Sequence, residues 1–190
     1  MTPMLGIMAS QISGHLQTNS YESIQTYTLG SSQASITFSS IPSTYKHLQI
    51  RMISRTNLAA QGFASLTMKL NSDAASNYSW HRLWGNGSSA NAGANAPDTS
   101  MLFAVTSGNQ NTASSFSAAV VDILDYENVS KYKTIRSLTG GDDNNNGANG
   151  YIGLHSGSWR NTAAVTSILI EPGAGQSFLA NSSFALYGIK

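Results

Sequence analysis

From Tyr21 to the C-terminus, apolar and polar residues alternate in short runs broken by turn signals. Around Ser35–Ser39, Ile36 and Phe38 alternate with serine and threonine; a few residues on, Leu48, Ile50 and Met52 alternate with His47, Gln49 and Arg51. An apolar side chain at every second position is the period of a strand with one face in a core and one in water. Between the two runs lies Ile41-Pro42-Ser43-Thr44. Its proline has no N–H for a central ladder and presets φ for a turn, so the pair reads as a hairpin or a sheet corner. The same alternation predicts strands over 23–29, 64–71 (Leu66, Met68 and Leu70 on one face), 77–84, 101–106, 129–138, 151–155, 165–170 and 184–189. Segment 116–126, FSAAVVDILDY, is apolar almost throughout. It predicts a strand covered on both faces, with a short helix as the alternative.

Two stretches, GNGSSANAGANAPD at 85–98 and GGDDNNNGANG at 140–150, have nothing with which to fill a core. They predict long surface loops. About ten short strands separated by turns, without sustained helical periodicity, predict an all-β fold: an antiparallel β-sandwich of jelly-roll type. Residues 1–20 stand apart as a short docking arm ahead of one sandwich domain, 21–190. There Met4, Leu5, Ile7, Met8 and Ile12 are apolar, and Gly6 and Gly14 interrupt any long helix. The segment has no Lys or Arg before its apolar part and so lacks the charged start of a signal peptide. If the protein reaches the outside of a cell, it is expected to do so without a secretion signal, for example by lysis.

Composition then narrows the function. Charged residues make up 10% of the 190, against roughly 25% in an ordinary soluble domain. A surface wetted by hydroxyls and amides suits packing against sister subunits. The formal net charge is +1, and the ten Lys and Arg residues are scattered, with Lys131, Lys133 and Arg136 the densest group. That is not the basic stripe of a nucleic-acid binder. No run approaches the roughly 20 apolar residues of a membrane helix. Cysteine is absent, which excludes disulfides and thiolate metal sites.

Candidate chemistry is sparse. His15, His47, His81 and His155 stand at no metal-ligand spacing. No nucleophile motif or phosphate-binding glycine loop occurs, and the chain is expected not to be an enzyme. Asp122 and Asp125, with Glu127, are the one tight acidic group in a core-like segment. A carboxylate pair can run glycoside hydrolysis; a strand end turning into solvent is the competing reading. Asp142, Asn144, Asn146 and Gly147 match the first half of a calcium loop, but position twelve is Gly153 rather than glutamate. Calcium at Asp142 and Asp143 is the one cofactor considered, against a solvated Asn/Asp/Gly turn. Trp80, Trp84 and Trp159, with Tyr78 and Tyr151, could stack on sugar rings as a glycan platform, or pack a core.

The succession SITFSSIPSTYKHLQIRMISR, NYSWHRLWGNG, DILDYENVSKYKTIRSLTG, VTSILIEPG and SSFALYGIK, opened by GIMASQISG, resembles a family of uncharacterised virion structural proteins of tailed bacteriophages, many from aquatic hosts. The resemblance covers almost the whole chain and carries no catalytic residues. It implies an all-β module displayed on the phage particle as a fibre, tail or capsid-decoration component. The expected anchor is Met4, Leu5, Ile7, Met8 and Ile12; the expected partners are sister subunits, first as a trimer, and other virion proteins. The alternative is a carbohydrate-binding module for host surface polysaccharide.

Overall fold

The computed structural model describes residues 20–59, 61–142, 150–173 and 175–190. The proposed anchor residues Met4, Leu5, Ile7, Met8 and Ile12 lie outside them. The described residues form β1 (Tyr21–Thr28), β2 (Ile36–Phe38), β3 (His47–Ser54), β4 (Phe63–Leu70), β5 (Tyr78–Gly85), β6 (Ala90–Asp98), β7 (Met101–Ser107), β8 (Ser117–Leu124), β9 (Lys133–Asp142), β10 (Gly150–Trp159), β11 (Ile168–Pro172) and β12 (Ser183–Ile189). Eight strands make one sheet in the order β1-β12-β3-β8-β9-β10-β5-β6, and four make the other, β2-β11-β4-β7. All pairings between these strands are antiparallel. The fold is an all-β antiparallel sandwich.

The core is the set of alternate residues read from the sequence. Leu48, Ile50 and Met52 of β3 and Phe184 and Leu186 of β12 meet Ile36 and Phe38 of β2, Leu66, Met68 and Leu70 of β4, and Ile168 and Ile170 of β11. Strands β2 and β3 are not a hairpin, because β2 pairs with β11 in the small sheet and β3 with β12 and β8 in the large one. The Pro42 segment is thus a sheet corner. Ile41 is buried in it, and the Tyr126 hydroxyl donates to the Pro42 carbonyl.

Three expectations are corrected. Part of the expected loop at 85–98 is strand β6, because alanine and asparagine can extend as a sheet edge where no side chain has to fill a core. Strand β8 is not covered on both faces: Ser117, Ala119, Val121 and Ile123 are buried, while Ala118 and Val120 face outward. Strand β9 begins at Lys133 rather than near Val129. The Lys133 ammonium is drawn inward and donates to the carbonyls of Asn128, Lys131 and Thr162, which holds 128–131 in a turn.

Strand β7 is buried along its whole length although it is the last strand of its sheet. It lies on the inner face of the large sheet, where β9 and β10 present Ser137, Thr139, Gly153 and Gly157. The Ser137 hydroxyl donates to the Phe103 carbonyl, and the Thr139 hydroxyl donates to the Val105 carbonyl at 3.0 Å. Side chains thereby satisfy carbonyls of the edge that a further strand would otherwise have to pair. The approach is close: a Cβ on Gly157 would sit 2.4 Å from the Met101 Sδ.

Thr139→Val keeps the shape of the side chain and orphans a buried carbonyl, so it is expected to destabilise the fold by about 1–3 kcal/mol in urea unfolding. Thr134→Val, on the exposed face of the same strand, is the control and should change little.

Candidate interaction surface

The small inward residues of β9 and β10 have a consequence on the opposite face. Side chains alternate across a strand, so the large apolar residues of these strands point out of the sandwich. Ile53, Leu83, Val120, Leu138, Ile152 and Leu154 are between 41% and 63% exposed. The register aligns them. One row runs Val120–Leu138–Leu154–Leu83–Ala92 across β8, β9, β10, β5 and β6. The next runs Ile53–Ala118–Gly140–Ile152–Gly85–Ala90 from β3 to β6. The third turns polar: Gln49, Asp122, Arg136, Ser156 and His81, ending at Ala94.

At six strands about 4.8 Å apart and roughly 7 Å per row, the two apolar rows cover about 400 Å², as large as the most prominent apolar patch of a typical monomer. Two shallow hollows lie on this face. One is bounded by Leu83, Ala92, Ala94 and Leu154, the other by Val120, Leu138 and Ile152. Reading the sequence for buried alternation missed these residues. The available signal was inversion: in YIGLHSG the apolar Ile152 and Leu154 alternate with Gly153 and His155, and it is the latter pair that is buried.

The patch reaches the free edge of the large sheet. Strand β6 is nine residues long, and Ala90 to Ala96 carry no charge. Sheet edges in monomers are commonly protected by lysine, inward charges or a short strand. The opposite edge, β1, carries Glu22, which accepts from the Tyr45 hydroxyl at 2.9 Å and is paired with Lys190.

The proposed glycan platform is not one surface. Trp159 and Tyr78 are core residues, and the Trp159 Nε1 donates to the Asp73 carboxylate at 2.7 Å. Trp80 and Trp84 lie half-buried on the inner side of β5, with Arg82 between them. The Arg82 guanidinium stacks 4.0 Å above the Trp84 ring, and the Trp80 Nε1 donates to Asp98 at 2.9 Å. Tyr151 is half-buried and tilted against Phe63. His155 is fully buried beside Arg82. Burial, reinforced by that guanidinium, pushes its pKa down to about 4, so the imidazole is neutral at pH 7.

The acidic pair does not converge. Asp122 lies on the outer face and accepts from the Gln49 amide at 2.9 Å. Asp125 lies beyond the end of β8, paired with Lys131 at 2.7 Å, in a hollow with Lys46, Glu127 and Ser130 that Asp122 does not line. The Lys131 hydrogen bond holds the Asp125 carboxyl below its usual pKa, opposite to the raised value of a glycosidase acid. Asp142 ends β9, and Asp143 lies outside the described residues. Among the described residues no three His, Asp or Glu side chains are grouped to hold a metal ion.

Asp73 ties Trp159 to the β4–β5 connection, and its charge has a predictable effect. The Asn77 hydrogen bond lowers its pKa; burial opposes this, and the Trp159 bond adds to the lowering. A carboxyl with a lowered folded pKa lends stability that is fully present above its unfolded value, about 4, and is lost as pH falls through the folded one. In urea unfolding, the stability gap between the native protein and Asp73→Asn should be widest above about pH 5 and shrink toward pH 3. A gap independent of pH would mean that Asp73 acts by shape and not by charge.

No protein-family model matches this chain, and no curated protein matches it.

Proposed function

We propose that this chain is a non-enzymatic structural protein of a tailed-bacteriophage virion. It is a jelly-roll module built into the particle as a homo-oligomer and displayed on its surface as a fibre, tail or capsid-decoration component. The observation that carries this is the strand order. Setting aside the two hairpins β5–β6 and β9–β10, the sheets read β1-β12-β3-β8 and β2-β11-β4-β7. Consecutive strands then lie in opposite sheets, except β4 and β7, which pair within the small one, and the first and last strands pair. This order supports the jelly-roll reading, an architecture used by viral capsid and lectin domains. The hairpins widen one sheet beyond the eight-strand roll, as expected of a module whose large face has work to do. The resemblance of the sequence to phage virion proteins and the low charge of the chain support the same reading.

In this proposal residues 1–20 anchor the module through Met4, Leu5, Ile7, Met8 and Ile12, and the sandwich faces outward. The carbohydrate-binding alternative retains Trp84, the one tryptophan not packed against the core cluster, although the Arg82 guanidinium covers one face of its ring. It no longer includes Trp159.

Deletion of residues 1–20 is expected to leave a folded sandwich that no longer joins particles, measured by complementation and immunoblotting of purified virions. Normal incorporation of the truncated protein would defeat the anchoring role. Binding on a glycan array that is lost in Trp84→Ala would favour the lectin-like alternative.

A further inference from the structure

We infer that a second copy of this chain covers the outer face of the large sheet, with Val120, Leu138, Ile152, Leu154, Leu83 and Ala92 at the centre of the contact. This deepens the homo-oligomer proposed above, rests on that part of it, and names the surface.

The first argument is area. Three rows of outward residues span six strands, with Arg51 of β3 in the Val120 row, and the row of Leu124, Thr134, Ser158 and Ser79 spans four; together they cover about 740 Å². That is close to one partner's share of a standard interface. The zoning is also that of an interface, with an uncharged apolar centre and a polar margin.

The second argument is the chemistry of the margin. Arg51 adjoins Val120 across β3–β8, and Asp122 faces Arg136 across β8–β9. Arg136 makes no ion pair among the described residues. A margin with both signs can meet a copy of itself, cation to carboxylate. An anionic bilayer would instead favour a basic fringe around the apolar centre. The same chain also brings little like-charge repulsion, having 10% charged residues and a net charge of +1.

The third argument is the pattern of protection. The β1 edge carries an ion-paired glutamate, whereas the β6 edge adjoining the patch carries no charge from Ala90 to Ala96. Pro97, Asp98 and a bulge mark only the far end of β6, and the stretch from Ala90 to Ala96 beside the apolar rows carries no charge or proline.

The test is the mass of the full chain by light scattering and sedimentation over a concentration series. The native chain is expected to run as a dimer or trimer, and Leu83→Asp/Leu154→Asp as one chain with an unchanged circular dichroism spectrum. Val129→Asp alters an equally exposed residue (68%) in the turn after β8 and should keep the native mass. Should the charged pair misfold, Leu83→Ser/Leu154→Ser is expected to raise the dissociation constant at least tenfold. A native chain that is monomeric throughout overturns the inference, as it would if a different protein or a lipid surface covers this face. So does a folded variant that keeps the native mass. Particle assembly separates the two proposals: oligomers absent from virions defeat the virion role alone, and monomers that still build into virions defeat this interface alone.

Discussion

The seating of β7 on β9 and β10 is the constraint from which the rest of the molecule follows. Two hydroxyls, on Ser137 and Thr139, donate to the carbonyls of Phe103 and Val105 and bring a sheet edge against a sheet face. Gly157 on β10 makes room for this approach, since a Cβ there would meet the Met101 side chain of β7. A buried carbonyl left without a donor would cost about as much as any single favourable contact nearby contributes. The hydroxyls are therefore as necessary to the fold as the leucines of the core.

What the inner face gives up in bulk appears on the outer face. Ser137, Thr139 and Gly153 turn inward, their neighbours in the alternation, Leu138, Ile152 and Leu154, point outward, and Leu83 and Val120 continue the row to either side. Buried cations stabilise the turns around this arrangement. The Arg55 guanidinium donates to the carbonyls of Asn111, Thr112 and Ser115, and Lys133 gathers three carbonyls before β9. Backbone oxygens satisfy these charges in place of carboxylates, in keeping with a chain that uses few acids.

The legible part of the sequence is its alternation. Ile36/Phe38, Leu48/Ile50/Met52 and Leu66/Met68/Leu70 each place one face in the core, and local sterics suffice to decide that. The absence of helical periodicity likewise made the all-β class readable. Trp159 was open in the sequence, because a tryptophan serves a core or a sugar equally well. The burial of its ring and its bond to Asp73 are set by packing across 86 residues of separation.

Sequence alone determined that this chain forms a charge-poor antiparallel sandwich, since period-two hydrophobicity is a property of neighbouring residues. Tertiary structure decided which sheet each strand joins, that the alanine–asparagine run is an edge strand, and which side of β9 and β10 faces water. Those outcomes depend on how closely one strand approaches another far along the chain. A pattern of hydrophobicity cannot encode that distance; two hydroxyls and Gly157 do.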